Sequence, residues 1–177
     1  SARVFDALYE SLIGMDSQTL EYDRGLACRW TISEDKKTFT FWLDPEARWS
    51  DGRPVTAHDV RWTFDAILNP TNLTGPNKGP LEIFDPPEVI DDRQIVFRAR
   101  QIHWRNLNAA GGFQILPRHI YATQDFNKIN FAFPVVSGPY RLGTHQEGVS
   151  VTLERRADGW NRDAPSARGV GNFDRLR

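Results

Sequence analysis

Cysteine is nearly absent from this sequence, with Cys28 the one example among 177 residues. A single thiol excludes an internal disulfide and a structural metal site built on several cysteines. Cys28 lies in the stretch LACRW, and free cysteines are usually buried. We therefore predict a small core residue here. A nucleophilic cysteine would need a nearby base, and the sequence does not indicate one.

Long apolar runs and an excess of one charge are also missing. No stretch reaches the roughly 18 apolar residues that a membrane-spanning helix needs. Lysine and arginine together number 22 against 23 acidic residues, so the formal net charge is -1. A near-neutral chain has no global electrostatic footprint for nucleic acid or for an anionic membrane. We therefore expect no nucleic-acid partner.

Sequence motifs of metal, nucleotide and nucleophile sites are not found either. The four histidines are scattered, and none forms an H-x-x-x-H pair; they are His58, His103, His119 and His145. The chain has no G-x-S-x-G, no P-loop and no G-x-G-x-x-G, which are the motifs of serine hydrolases and of phosphate or dinucleotide binding. We predict no metal, no cofactor and no catalytic residue.

Acidic residues are plentiful, and two carboxylates in an aromatic cleft would be typical of a glycosidase. The conspicuous acids lie instead where turns and helix caps are predicted, at Asp35, Asp51, Asp59, Asp91 and Asp92. Turn and cap chemistry explains them without catalysis. A hydrolase remains the alternative, and it would show paired carboxylates of perturbed pKa facing a pocket.

Aromatic residues make up 12% of the chain and are accompanied by 11 prolines and 13 glycines. Many aromatics between many turn residues favour short strands joined by ordered loops. Six Trp side chains are present, and three of them, Trp49, Trp104 and Trp160, are candidate binding platforms, although most Trp side chains in such a domain belong to the core.

Hydrophobic periodicity predicts an α+β chain with seven to nine short, mainly antiparallel strands and three or four helices. The predicted helices are Val4–Ile13 (ended by Gly14), a helix capped by Thr56 and ended by Asn69-Pro70, His103–Ala109, and Pro117–Ala122. The predicted strands are Trp30–Ile32 with Thr38–Leu43, Glu88–Ile90 with Gln94–Ala99, Gly112–Leu116, and a hairpin of Tyr140–Leu142 with Val149–Leu153. Phe173 and Leu176 are the expected anchors of the polar tail.

The stretch 69–80, NPTNLTGPNKGP, contains three Pro, two Gly and three Asn, which predicts a loop too long to be a tight turn. Loops of this length are often functional. Asn77 and Lys78 are the side chains there that could face a ligand.

One stretch carries a specific resemblance. Residues 45–64, PEARWSDGRPVTAHDVRWTF, resemble the signature segment of the extracellular solute-binding proteins of family 5, the oligopeptide-, dipeptide- and nickel-binding group. The matching positions are Trp49, Asp51, Gly52, Pro54, Thr56, Ala57, Asp59, Val60 and Phe64. Further blocks follow in the family's order: VFDALYESLI, the hairpin from Ala27 to Leu43, ILPRHI, and SGPY at residues 137–140.

The resemblance implies a fold and a function. Members have two lobes that close on a solute, and residues 1–177 are similar to pieces of the first lobe plus the family's small extra domain, with the second lobe absent. It implies a periplasmic protein, or an extracellular one tethered to the membrane, that is monomeric and not an enzyme. Such a protein captures oligopeptides or peptide-like solutes and delivers them to the membrane permease of an ABC transporter. Nickel chelates, opines or sugars are alternative solutes.

The resemblance also implies which residues form this lobe's share of the cleft. They belong to the 69–80 loop, the segment Gly112-Phe113-Gln114 and the turn Ser137-Gly138-Pro139. The expected ligand-binding residues are Asn77, Lys78, Phe113, Gln114, Ser137 and Gly138. The signature residues around Asp51 and Asp59 are expected to be scaffold.

Overall fold

A computed structural model of the chain describes residues 2–16, 18–128, 133–146, 150–161 and 172–176. These residues form five helices, α1 Ala2–Leu8, α2 Ala57–Leu68, α3 Gly75–Lys78, α4 Asn106–Gly111 and α5 Arg118–Tyr121. They also form nine strands, β1 Ile13–Met15, β2 Tyr22–Arg24, β3 Ala27–Ile32, β4 Thr38–Leu43, β5 Glu88–Asp91, β6 Gln94–Arg98, β7 Tyr140–Gln146, β8 Ser150–Arg155 and β9 Arg175–Leu176. The predicted α+β class with short antiparallel strands is confirmed.

The central sheet has four antiparallel strands in the order β3-β4-β6-β5. Strand β4 has the sequence TFTFWL, and its alternation sends Phe39, Phe41 and Leu43 into the core because successive strand residues point to opposite faces. Phe41 lies opposite Ile95 of β6 and opposite Trp30 of β3. Strand β3 pairs with β4, and β5 pairs with β6. Both hairpins predicted for this region are confirmed.

Helix α2 buries Val60, Phe64 and Ile67, and the ring of Phe64 meets Phe97 of β6 edge-on at 6.1 Å. It begins after Thr56, as predicted, and the backbone N–H of Thr56 donates to Oδ2 of Asp59 at 2.9 Å. This is half of a capping box, in which the third helical residue satisfies the N–H of the cap residue.

A two-stranded sheet of β1 and β2 and a three-stranded sheet in the order β7-β8-β9 complete the described fold. The strands of the final hairpin are confirmed, and residues 147–149 of its turn lie outside the described residues. In the described ranges, no helix is long and apolar enough to span a membrane.

The first helix is shorter than predicted, because it ends at Leu8 and not at Ile13. The backbone N–H of Glu10 donates to the hydroxyl of Ser137 at 3.0 Å. The carbonyl of Leu12 accepts hydrogen bonds from Gly25 and Ala27. The chain leaves the helix because these long-range bonds replace helical ones, and Gly14 belongs to β1.

Three other predictions of local structure were also inaccurate. The helix predicted at 103–109 is α4, shifted to Asn106–Gly111. Residues 112–116 form no strand, since Ile115 N–H bonds the carbonyl of Glu10 and Leu116 N–H bonds the hydroxyl of Thr63. The one-turn helix α3 brings the number of described helices to five instead of three or four.

Two expected core positions also differ. Cys28 is only half-buried, and its Sγ lies 3.4 Å from the carbonyl of Trp42, where the pairing of β3 with β4 is irregular. Phe173 is 67% exposed and does not anchor the tail through its ring. Its carbonyl instead accepts the hydroxyl of Tyr140, while Leu176 packs on the core as expected.

Candidate functional site

The 69–80 loop is attached to the end of α2. Asn72 donates its side-chain amide to the carbonyl of Ala66 at 2.8 Å, and Lys78 donates to the carbonyl of Asn69 at 3.1 Å. These bonds are made to carbonyls at the C-terminal end of a helix, where intrahelical N–H partners run out. Asn77 is exposed and Lys78 is half-buried. The ammonium group of Lys78 therefore has a structural partner, and the side chain of Asn77 is accessible to solvent.

Asn127 holds the tip of the same loop. Its Oδ1 accepts the backbone N–H of Leu73 at 2.8 Å, and its Nδ2 donates to the carbonyl of Thr71 at 2.7 Å. Leu73 is 87% exposed at this tip. The loop is thus an ordered element held on two sides.

Phe113 and Gln114 follow α4 and are both half-buried. The ring of Phe113 meets Phe97 edge-on at 6.3 Å. The amide of Gln114 donates to Oδ1 of Asp6, an exposed residue of α1, at 2.6 Å. Each side chain is therefore fixed on one side by the fold and is accessible on the other.

Ser137 and Gly138 are buried against the end of α1. Both backbone N–H groups donate to the carbonyl of Leu8, that of Gly138 at 2.8 Å. A Cβ on Gly138 would lie 2.5 Å from the carbonyl oxygen of Ala7, so only glycine fits this approach. The two residues shape the end of α1, and their side-chain positions are not on the surface.

Glu10 joins these segments through four hydrogen bonds. Its N–H donates to the Ser137 hydroxyl at 3.0 Å, and its carbonyl accepts from Ile115 at 3.0 Å. Its carboxylate accepts the indole N–H of Trp160 at 2.9 Å and the amide of Asn161 at 2.7 Å. Glu10 thus bonds Ile115, which follows the segment 112–114, and Ser137 of the predicted turn, whereas the 69–80 loop is held by α2 and Asn127.

Burial raises the pKa of Glu10 to about 7. The hydrogen bonds from Trp160 and Asn161 and the charge of Arg156 act in the opposite direction on this pKa. Glu10 was not among the site residues predicted from the sequence. The available signal was an acidic residue inside the apolar stretch ALYESLI, because a charge at a partly buried position requires hydrogen-bond partners.

A tyrosine pair lies beside this junction. The hydroxyls of Tyr9 and Tyr121 are 2.9 Å apart, and burial raises the pKa of both. The ring of Tyr9 also lies 5.5 Å from Phe5 in a tilted arrangement. The pair ties α1 to α5 and remains neutral at physiological pH.

The signature segment is scaffold in this structure. Buried Asp59 accepts the indole N–H of Trp49 at 3.3 Å and the backbone N–H of Arg118 at 2.9 Å. His119 Nε2 lies 2.7 Å from Oδ2 of Asp51, and Gly52 has a φ of +86°, as a tight turn requires. The signature thus connects the start of α2 to α5.

The three candidate Trp platforms differ in exposure. Trp49 is 1% exposed, Trp160 is half-buried on Glu10, and Trp104 is 77% exposed. Within the described ranges, no three or more His, Cys, Asp or Glu side chains lie together so that they could hold a metal ion. The carboxylate of Glu10 accepts hydrogen bonds from an indole and an amide.

Comparison with known proteins gives matches along nearly the whole chain. A family model described as bacterial extracellular solute-binding proteins, family 5 Middle, matches residues 21–176. The peptidoglycan-binding protein YepA of Agrobacterium fabrum is 32% identical over 96% of this chain and 28% of its own length. The probable peptide-binding protein YejA of the same organism is 29% identical over 94% of this chain and 28% of its own length. The chain therefore spans about a quarter of the length of these curated relatives.

Solved structures with the same fold include two-lobed periplasmic binding proteins. Haemophilus influenzae OppA in complex with the peptide RPPGFSPFR is 25% identical, with a TM-score of 0.79 over 92% of this chain and 35% of that one. NikZ of Campylobacter jejuni in complex with Ni(L-His) is 23% identical, with a TM-score of 0.74 over 85% of this chain and 30% of that one. At that identity NikZ is evidence for the fold alone.

Proposed function

Because this chain belongs to the bacterial extracellular solute-binding proteins of family 5, we propose that it forms part of the peptide-capturing component of an ABC importer. The observation that carries the proposal is the family match over residues 21–176 together with a relative named for peptide binding that is 29% identical. In such a protein the solute is bound and released unchanged, so the described residues need to supply contacts and no reacting group.

The proposed location is the periplasm or the cell exterior. The proposed partner is the membrane permease of the importer, and we propose that the binding protein meets it as a monomer. The family description places its members outside the cell. The ligand class follows the relatives named for peptide and peptidoglycan binding. Peptides and the peptide-bearing fragments of peptidoglycan share amide groups and carboxylates, so the same hydrogen-bonding groups serve both.

We assign the contact residues on this side of the cleft from their exposure. Phe113 can offer an aromatic edge, and Gln114 can offer an amide that is already oriented by Asp6. Asn77 and Lys78 can offer polar contacts from the 69–80 loop. Ser137 and Gly138 are buried, so their proposed contribution is to hold residues 8–10 in place rather than to contact the solute.

Calorimetric titration with defined tri- to pentapeptides tests the proposal, using the chain alone and in its complete reading frame. We expect micromolar binding in the complete reading frame and weaker binding by the chain alone, since one side of a cleft supplies only part of the contacts. Gln114→Ala should weaken binding by about tenfold, the equivalent of one lost hydrogen bond.

Gln124→Ala is the matched control, because Gln124 is an exposed glutamine whose side-chain amide donates to the nearby carbonyl of Ile120. Its affinity should equal that of the wild type. Absence of peptide binding in the complete reading frame would refute the proposal. Binding that Gln114→Ala leaves unchanged would remove residues 112–114 from the site.

A further inference from the structure

Residues 99–105 connect β6 to α4, and two large apolar side chains of this connection are exposed to solvent. Trp104 is 77% exposed and Ile102 is 63% exposed, and the neighbouring His103 and Arg105 are exposed as well. We call these four side chains the Trp104 surface. Exposed Trp side chains are uncommon and are enriched where proteins contact partners.

Three side chains of the Trp104 surface pack on one another. The imidazole of His103 stacks on the indole of Trp104 with ring centres 5.8 Å apart and an interplanar angle of 24°. The guanidinium carbon of Arg105 lies 4.6 Å from the Trp104 ring centre. Stacked side chains have already lost much of their rotamer freedom, which lowers the entropic cost of binding.

Asn106 fixes the backbone beneath this surface. It is 1% exposed, its N–H donates to the carbonyl of His103 at 3.0 Å, and its Nδ2 donates to the carbonyl of Gln101 at 2.7 Å. The segment that carries Trp104 is therefore anchored at both ends to a buried residue.

The polar groups of the Trp104 surface are all hydrogen-bond donors. Nδ1 of His103 accepts the backbone N–H of Arg105 at 3.1 Å, so the neutral ring carries its proton on Nε2. The indole N–H and the guanidinium are donors without acceptor capacity. A complementary partner must therefore present acceptors, and carboxylates are strong, often bidentate acceptors for a guanidinium.

Arg105 has its charge available for such a partner. The nearby Arg98 and Arg100 are paired with Glu88 at 2.7 Å and with Asp85 at 3.0 Å. Arg105 has no ion pair in the part of the chain that the structure describes. The unpaired guanidinium of Arg105, next to the ring of Trp104, can form an ion pair with a carboxylate of a partner.

A protein or peptide partner fits this surface better than an anionic membrane does. Membrane attraction is worth about 1 kcal/mol for each cation near the surface and usually needs a cluster of four or more. Here the neighbouring arginines are already paired with acids. Trp and Arg are instead the residues that are enriched in protein–protein hot spots, and here they lie next to an exposed Ile.

We propose that the Trp104 surface is a docking site for an acidic segment of a protein, in which carboxylates flank an apolar side chain. The carboxylates accept from Arg105, His103 and Trp104, while the apolar side chain covers Ile102. Along the chain, helix α4 lies between Arg105 and the proposed peptide contacts at residues 112–114. The proposed docking site does not depend on the proposed transport function.

The test uses the full chain and a hexapeptide of alternating Glu and Leu, blocked at both ends so that it lacks the charged termini of a transported peptide. Amide NMR spectra of the labelled chain should shift at residues 101–106 on titration. Trp104→Ala and Arg105→Glu should each weaken this binding by about tenfold or more. Phe173→Ala, which removes an aromatic side chain that is 67% exposed elsewhere, should leave it unchanged.

A charge-reversed peptide guards against a variant that merely misfolds. Arg105→Glu should bind the blocked Lys-Leu hexapeptide more tightly than the wild type does, because the attraction is then restored with opposite signs. The proposal is overturned by shifts confined to other residues, by equal affinity of the wild type for the two peptides, or by binding to vesicles with anionic lipid in preference to the Glu-Leu peptide.

Discussion

The indole N–H of Trp160 donates to the carboxylate of Glu10 at 2.9 Å, across 150 positions of sequence. This bond joins the end of α1 to the residues that follow β8. Since the backbone of Glu10 also bonds Ser137 and Ile115, this residue sets the relative positions of three chain segments. Substitutions at Glu10 and at the residues around it therefore test how these segments are held together.

The pH dependence of stability should report the protonation of Glu10. Burial raises its pKa from the ordinary 4.5 to about 7, so the folded state holds this proton more tightly than the unfolded state. The contribution of Glu10 to stability is therefore fully present below pH 4.5 and is lost as the pH rises through 7. Each pKa unit corresponds to about 1.4 kcal/mol, which makes the loss on the order of 3 kcal/mol.

The measurement is urea unfolding of the wild type and of Glu10→Gln between pH 4.5 and 8.5. The difference in unfolding free energy between the two proteins should shift in favour of Glu10→Gln as the pH rises, because glutamine cannot ionise. A difference that is the same at every pH would contradict the raised pKa. Glu21→Gln, at an exposed glutamate, is the control.

Gly138→Ala should destabilise the chain by about 1 to 3 kcal/mol, the usual cost of forcing an extra methyl group into packed structure. The new Cβ would lie 2.5 Å from the carbonyl oxygen of Ala7 and 2.9 Å from that of Leu8. Thermal and urea unfolding measure the change. Gly79→Ala is the control, since nothing lies within 4 Å of its added Cβ, and equal effects of the two substitutions would contradict the close packing at Gly138.

Asp59→Ala should cost about 2 to 4 kcal/mol of unfolding free energy, because hydrogen bonds to a charged group contribute about 1.5 to 3 kcal/mol and their partners are left unsatisfied. Asp59 accepts from the backbone of Thr56 and of Arg118 and from the indole of Trp49. Asp65→Ala on the same helix removes only an exposed pair with Arg61 and should cost less than about 0.5 kcal/mol. A comparable loss in both variants would show that the signature aspartate has no special structural role.

Phe97→Ala should cost about 3 to 5 kcal/mol, as is usual when a large buried ring is removed. Phe97 is fully buried and meets the rings of four other phenylalanines edge-on, Phe41, Phe64, Phe84 and Phe113. Phe173→Ala, at a ring that is 67% exposed, should change stability by about 0.5 kcal/mol or less. Calorimetric unfolding compares them, and a small effect of Phe97→Ala would mean that the core does not centre on this ring.

Much of the local structure could be predicted from the sequence because its causes are local. The alternation TFTFWL specified β4 and its buried face, and Thr56 with Asp59 specified the start of α2. The first helix was predicted to end five residues too late, because apolar spacing continues to Ile13 while long-range hydrogen bonds end the helix at Leu8. Periodicity contains no information about partners more than 100 residues away.

The candidate site shows the same division. The fold class and the scaffold role of the signature segment could be inferred without a structure, since turn, cap and core residues act over short spacings, and the family was inferred from the resemblance of residues 45–64. The burial of Ser137 and Gly138, the joining of three segments by Glu10, and the exposure of Trp104 but not of Trp49 became apparent only in the folded chain. Burial and long-range hydrogen bonding depend on how the whole chain packs, and no window of neighbouring residues contains that information.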